Sequence, residues 1–400
     1  MMPLKIVFVL TPAFDPNAGG VQMSTFKIGS ELARSGHSVG VFSFAQYGHV
    51  GCDFGEFVSS AGPLGVENSV NLKRLKEFVT EFRPDVVINQ MPYEHAITAA
   101  LREAQGFLMV ACLRNTLFSV KGDLESYIRK AIPPTFWSLV NNPFGKQLIL
   151  KNHRRRHRAD LRRILQGYDV FVMFGDPNIE ELRYFLPDFD EKKIELIPNS
   201  IPAVLESVPP KGKRLLWVGR VAESQKRADL IPYLWEKLSR RLPDWELDIV
   251  GDGPDLNRVV ERMKSMGLQR FSFHGRQKPD SFYSRAAVFF MTSAFEGFPN
   301  TLIEAQSFGT VPVIFDSYPM ASWIIEHGRS GYLIKSFDLD AMAETIVDIA
   351  KADREDIREN ALANARRFRI DRVMKSWDRL FSERLPLRLS TVTTSQRHTQ

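Results

Sequence analysis

The chain has 400 residues, 44% of them hydrophobic and 25% charged, with a formal net charge of +6 at pH 7. That length predicts two or three domains, and that composition excludes a disordered or low-complexity protein. The mild positive charge suits anionic ligands such as nucleotides, or an anionic membrane surface, and gives no support to a nucleic-acid partner.

The chain opens with MMPLKIVFVLTP, a short apolar run without the small-residue cleavage site of a signal peptide. No apolar run is long enough to cross a membrane, so a cytoplasmic location, free or peripheral on the inner face of the cell membrane, is expected. Residues 5–10 (KIVFVL) read as a strand buried on both faces. A loop carrying Gly19 and Gly20, a helix over 21–35 and a strand over 38–44 complete a βαβ unit. Cys52 and Cys112 are the only cysteines and lack paired-ligand spacing, so neither a disulfide framework nor a cysteine zinc site is expected. Helices over 72–82 and 94–105 alternate with strands over 85–89 and 107–112, and further strands are expected at 168–173 and 193–197. Residues 200–213 (SIPAVLESVPPKGK) are proline-rich and aperiodic, and read as a linker between a domain at 1–199 and another at 214–368.

The same rhythm restarts with a strand over 214–218, a helix over 228–241 and a strand over 246–250. A helix over 255–266 and strands over 271–273, 288–291 and 311–315 follow. The alternation predicts an α/β protein of two doubly wound, Rossmann-like domains facing across a cleft, with ligands bound beyond the carboxyl ends of the strands. After a helix over 354–368, a helix over 369–386 is expected to return to the first domain. Residues 387–400 read as a polar, disordered tail.

The strongest chemical signal is Glu296-Gly-Phe-Pro-Asn-Thr-Leu-Ile-Glu304. A turn opens a helix between two carboxylates, and the unpaired N–H groups of a helix N-terminus suit a diphosphate. Glu296 stands before the turn, placed to face a sugar hydroxyl, and Glu304 on the helix, placed to accept from ribose hydroxyls. A lone pair with this spacing is more often a helix-start charge and a solvated face, but here apolar strands flank it on both sides. Gly219-Arg220 follows the strand at 214–218, with Lys226 six residues on. Two cations at a strand end make a diphosphate clamp that offsets charge on a leaving phosphate; the plain alternative is two surface cations. Gly251 sits in Val-Gly-Asp-Gly-Pro, a turn that lacks the dinucleotide fingerprint and is weak alone; it would border a base or ribose pocket. Gly19-Gly20 permits close backbone approach to a ligand, or is simply a tight turn.

Together these elements resemble family 4 of the retaining glycosyltransferases, a group with the GT-B double-Rossmann architecture. The resemblance is carried by Trp217-Val-Gly-Arg220, Gln225-Lys226-Arg227, Ile249 to Pro254, Phe273-His-Gly275, Met291 to Pro299, Thr301 to Ala305 and Gly328-Arg-Ser-Gly331. It continues more weakly at Gly19-Gly20 and Ile197-Pro-Asn-Ser200. It implies a hexosyl transfer from a nucleotide-sugar, more readily UDP-linked than GDP-mannose, with retention of anomeric configuration. No metal and no cofactor is implied, since the nucleotide-sugar is itself a substrate. By the resemblance, Arg220 and Lys226 hold the diphosphate, Glu304 the ribose and Glu296 the donor sugar. The backbone around Gly297, Phe298, Asn300 and Thr301 cradles sugar and phosphate, and Gly20 lies near diphosphate and acceptor. The family often places a His after the strand matched by 107–112, where this chain has Arg114. An Arg is no general base, so Arg114 is expected to hold a hydroxyl or phosphate instead. His95 is a possible substitute, though a lone His at a helix start is more often structural.

Residues 146–163 carry many cations beside the apolar stretch 131–140, a pattern that suits either an anionic membrane surface or a solvated helix face. The expected partners are therefore a nucleotide-sugar donor, a glycan or lipid-linked glycan acceptor of bacterial surface polysaccharide or glycolipid synthesis, and an anionic membrane surface. Competing readings are a GT-B epimerase or phosphorylase, and a catalytically inactive sugar-nucleotide-binding module or partner subunit.

Overall fold

The structure, a computed structural model, describes residues 2–11, 14–16, 19–45, 56–59, 69–352 and 354–397. Among the described residues thirteen strands form two sheets. The first holds β1 (Lys5–Leu10), β2 (Ser38–Ser43), β3 (Glu56–Ser59), β4 (Val86–Asn89), β5 (Leu108–Cys112), β6 (Val170–Met173) and β7 (Ile194–Leu196) in the order β3-β2-β1-β4-β5-β6-β7. The second holds β8 (Gly212–Val218), β9 (Glu246–Val250), β10 (Phe271–Phe273), β11 (Ala286–Met291), β12 (Val311–Asp316) and β13 (Tyr332–Lys335) in the order β10-β9-β8-β11-β12-β13. Every pairing is parallel. The strand order reverses beside β1 and again beside β8, the doubly wound arrangement expected from the alternation.

The apolar runs read as strands because both faces are covered, and side chains alternate between them. Ile6 and Phe8 of β1 join a core with Ile28, Leu32, Trp377 and Phe381, whereas Val7 and Val9 face a second core with Phe42, Val87 and Phe171. That second core is continuous with Leu216, Phe289 and Ile314 of the other sheet, so one apolar cluster joins the domains. The opposite face of the second sheet packs Trp217, Phe290 and Phe315 against Ile231, Leu234 and Trp235.

The chain crosses between domains twice, and the crossings are bonded side by side. Ile201 N–H donates to Phe368 O at 2.9 Å, and Ile370 N–H to Ile201 O at 2.9 Å. Lys211, near the end of the linker, donates to Tyr283 O, Ser284 O and Phe308 O at 2.8–3.0 Å, which pins it to the second domain. The last helix, Ile370–Arg397, returns across the first domain, where Val373, Met374, Trp377, Leu380 and Phe381 are buried.

Two features differ from the sequence reading. The terminal helix continues to Arg397, so the residues through 397 expected in a disordered tail are helical backbone; 398–400 lie outside the described residues. Strands β3 and β13 and the short helices Ser119–Gly122, Leu124–Ala131 and Trp137–Val140 were not expected. Cys52 lies outside the described residues, and Cys112 is a buried free thiol that burial pushes above its usual range.

Candidate functional site

Both reversals of strand order open onto the interdomain cleft, so the loops beyond the strand ends meet there. Those loops carry Gly19, Gly20 and Val21 after β1, Arg114 and Asn115 after β5, Phe174 after β6 and Asn199 after β7. From the second sheet come Gly219, Arg220, Gln225 and Lys226 after β8, and Glu296, Gly297, Phe298, Asn300 and Thr301 after β11. Together they line one cavity of about 430 Å³, within the range that holds small ligands. Of the residues singled out from sequence, Gly251, Glu304 and His95 do not line it.

The carboxylate of Glu296 is buried and triply held. Lys226 Nζ lies 2.6 Å from Oε1, Ser293 Oγ donates to Oε1 at 2.7 Å, and Gln225 Nε2 donates to Oε2 at 3.1 Å. A buried carboxylate stays charged only with such partners. The loop bearing Lys226 is fixed in turn: its carbonyl accepts from Thr292 Oγ1 at 2.7 Å, and Gln225 O accepts from Ala294 N–H at 2.8 Å. The helix Asn300–Ser307 starts at the cavity with no side-chain cap from Pro299; its Asn300 and Leu302 N–H groups donate to Phe298 O and Pro299 O at 3.0 Å, and the positive end of its dipole, which favours an anion, lies at the cavity.

Three glycines act through close approach. A Cβ on Gly297 would fall 2.6 Å from Asn115 Cα, so the two domains touch backbone to backbone at that point. A Cβ on Gly20 would lie 3.3 Å from Asn300 Nδ2 across the cleft. Gly251 stands apart from this lining. With φ +145° and a Cβ position 1.8 Å from Gly219 O, it supports the Gly219-Arg220 loop from beneath and does not border the cavity.

Glu304 lies outside the cavity lining, on the helix Asn300–Ser307. Lys27 of the first domain reaches its Oε1 at 3.4 Å, and Tyr283 OH donates to Oε2 at 3.4 Å. Burial beside this carboxylate pushes the Tyr283 hydroxyl well above its usual range. Arg114 Nε donates to Gln90 Oε1 and its Nη1 to Asn199 Oδ1 at 3.3 Å. Asn199 Nδ2 donates onward to Asn300 Oδ1 at 3.0 Å, which links the domains. Among the described residues Arg114 Nη2 and Gln90 Nε2 are buried donors without an acceptor, a fit for an oxygen-rich ligand. His95 is elsewhere: its Nε2 lies 3.2 Å from Asp160 Oδ1 and 2.9 Å from Arg163 Nη1.

Gln90, Asn115, Phe174, Gln225 and Lys27 were missed. Gln90 had a usable signal, as the first residue past β4 beside the reversal of strand order. Lys27 had none, being one cation on a helix. Among the described residues no group of three or more His, Cys, Asp or Glu is arranged to hold a metal.

Residues 18–204 match Glycosyltransferase Family 4, and residues 206–368 match Glycosyl transferases group 1. A lipopolysaccharide 1,6-galactosyltransferase of Salmonella typhimurium is 33% identical over 145 residues, which are 34% of this chain and 40% of that one. An undecaprenol-linked-glycan alpha-1,4-N-acetyl-D-galactosaminyltransferase of Campylobacter jejuni is 21% identical over 95% of this chain and 99% of its own length. The chain spans only 21% to 41% of the first four curated relatives it matches. Among solved structures, HepE of Anabaena in complex with UDP and glucose superposes with a TM-score of 0.71 at 15% identity, over 95% of this chain and all of that one. At that identity the likeness is one of fold.

Proposed function

The chain belongs to the GT-B glycosyltransferases of the group 1 and family 4 type, and on that premise we propose that it moves a hexose from a nucleotide-sugar, UDP-linked, to a glycan or lipid-linked glycan of bacterial surface polysaccharide or glycolipid synthesis. The observation that carries the reading is the cavity into which Arg220, Lys226, Glu296 and the start of the helix Asn300–Ser307 converge, opposite Gly19, Gly20 and Arg114 of the other domain. Its cations and N–H groups suit a diphosphate, and its position between domains lets donor and acceptor meet. The acceptor hydroxyl oxygen bonds to the anomeric carbon as the bond from that carbon to the diphosphate oxygen breaks. The acceptor proton passes to the leaving phosphate. Attack and departure on the same face retain configuration, and no metal or further cofactor enters the scheme. Arg220 and Lys226 stabilise the departing charge, Glu304 holds the ribose, and Arg114 holds a hydroxyl or phosphate, since it cannot take a proton.

The test is a thermal-shift series of the purified protein with UDP, GDP and ADP, because a ligand that binds only the folded state raises the midpoint. A UDP shift with sugar transfer or donor hydrolysis supports the reading. No shift with any nucleotide overturns it. A second reading, a binding module without catalysis, is favoured by Arg114 at the place of a family base; a UDP shift with neither hydrolysis nor transfer would establish it.

The membrane expectation is supported by the helix Pro143–Gly167. Phe144 and Leu148 are 78% and 58% exposed and share one face, by helical spacing, with exposed Lys151, Arg155 and Arg162. An apolar end running into a basic stripe suits an anionic bilayer surface, each cation contributing about 1 kcal/mol near it. No helix among the described residues is long and apolar enough to cross a membrane. Failure to bind anionic vesicles at low salt would remove this part of the proposal.

A further inference from the structure

A second cavity of about 390 Å³ lies beside the first, also between the domains. The first domain contributes Thr116, Phe118, Lys121 and Gly122, and the second contributes Phe295 and the run 316–319. The two cavities share a wall. Arg114 and Asn115 line the first and Thr116 the second, while Gly297 and Glu296 line the first and Phe295 the second. The wall is tight, because Cβ atoms on Gly297 and Gly122 would lie 2.6 Å from Asn115 Cα and 3.0 Å from Phe295 Cβ.

The chemistry of the second cavity differs from that of the first. Asp316 ends β12, so its carboxylate sits at the carboxyl edge of a parallel sheet, where ligands bind in this fold. The residue is exposed; its carbonyl accepts from Ser336 Oγ at 2.9 Å, while its carboxylate has no hydrogen-bond or ion-pair partner among the described residues. Lys121 comes from the other domain and is likewise exposed without an ion pair among the described residues. Its ammonium lies 4.8 Å from the centre of the Phe118 ring. Phe118 and Phe295 add ring surface, and Tyr318 carries a buried hydroxyl with no partner among the described residues. A single carboxylate, a single ammonium and flat apolar rings form a recognition set for a pyranose, whose hydroxyls donate to the carboxylate and accept from the ammonium while its C–H face lies on a ring. A lining with one cation, which also lies 5.6 Å from the centre of the Tyr184 ring, and one carboxylate is a poor site for a second diphosphate.

We infer that this second cavity binds a pyranose unit of the acceptor glycan, adjacent to the chamber where transfer takes place. The inference rests on the glycosyltransferase reading for the word acceptor, but the site itself can be tested without it. The probes are methyl glycosides of glucose, galactose, N-acetylglucosamine and N-acetylgalactosamine at millimolar concentration, with UDP present at saturation. Saturation-transfer NMR is recorded for the full chain and for the variants Asp316→Asn and Lys121→Ala, both exposed positions where substitution leaves the core untouched. At least one glycoside is expected to show transfer, weakened about tenfold in affinity by either variant, as for one lost charge-assisted hydrogen bond. The UDP thermal shift is expected to stay unchanged in both. Absence of any glycoside signal in the unaltered protein, or a signal that neither variant reduces, would overturn the inference. Absence of a UDP shift would instead sink the glycosyltransferase reading and leave the glycoside result readable.

Discussion

Lys226 separates two roles that one contact combines. Its ammonium sits 2.6 Å from Glu296, whose side chain is 6% exposed. Removing one partner of a buried ion pair costs about 3–5 kcal/mol. Here Lys226→Ala leaves Glu296 with Ser293 Oγ at 2.7 Å and Gln225 Nε2 at 3.1 Å, and each neutral hydrogen bond retains about 1 kcal/mol. The expected loss of stability is therefore about 2 kcal/mol, or about 4–8 °C in the midpoint for domains of this size. The loss of affinity for a diphosphate is separate. A charge-assisted contact is worth about 1.5–3 kcal/mol, so UDP should bind about tenfold to a hundredfold more weakly. UMP should change little, because the terminal phosphate carries the contact. Titration calorimetry with UDP and UMP, beside a melting curve, reads both effects. Adding Glu296→Gln to Lys226→Ala removes the unpaired charge, so the midpoint should recover while UDP affinity stays low. A lowered midpoint with unchanged UDP affinity would refute the argument and leave Lys226 as a structural partner of Glu296.

Gly297→Ala places a methyl 2.6 Å from Asn115 Cα, so the domains must part; overpacking of this kind costs about 1–3 kcal/mol, and transfer should fall with the melting midpoint. Unchanged activity and stability would mean that the close approach is not maintained in solution. Glu304→Ala should weaken UDP by more than about tenfold, about 1.4 kcal/mol, while costing little stability, because the Lys27 contact at 3.4 Å is partly solvated. Equal UDP affinity in a calorimetric titration would remove Glu304 from the ribose. Burial, aided by the neighbouring His153, pushes His157 down to about 4 from 6.5, against Asp160. The unfolded chain then binds a proton that the folded chain refuses, so stability falls as pH drops from about 6.5 through 4. Urea midpoints at pH 7.5, 6.0 and 5.0 should decline less steeply for His157→Gln; an identical slope would rule His157 out as the cause.

The parts of the fold legible in sequence were those fixed by local pattern. Continuous apolar runs such as residues 5–10 and 288–291 predict strands covered on both sides, because no other environment accepts them. Strand β13, YLIK at a sheet edge, is too short and too polar for its pattern to stand out, and β3 is four residues long. The terminal residues 387–397 have the composition of a free tail, yet they extend a helix whose buried residues lie upstream at Trp377 and Phe381. For the site, Lys226 and Glu296 were legible because motif spacing placed both at strand ends of one sheet. The contact of Gly251 with Gly219 was not legible, because a glycine turn does not reveal whether its backbone meets a ligand or another loop.

What sequence spacing conceals is the pairing across the cleft, and that pairing shapes how a ligand is handled. The helix Asn300–Ser307 carries Asn300, which accepts from Asn199, and Glu304, which accepts from Lys27. The same helix offers its N-terminus and Glu304 to the donor. A nucleotide that takes up Glu304 must share it with Lys27, whose ammonium also lies 3.4 Å from Ser200 O beside the domain crossing. Donor binding would thus act on the contacts that set the separation of the domains, and through Asn300 and Asn199 on the orientation of Arg114. An acceptor held between Arg114 and the second domain would meet its final geometry only after the donor is seated. On the proposed reading the expected order of binding is nucleotide first, because the residues that would recognise the donor also make the contacts across the cleft.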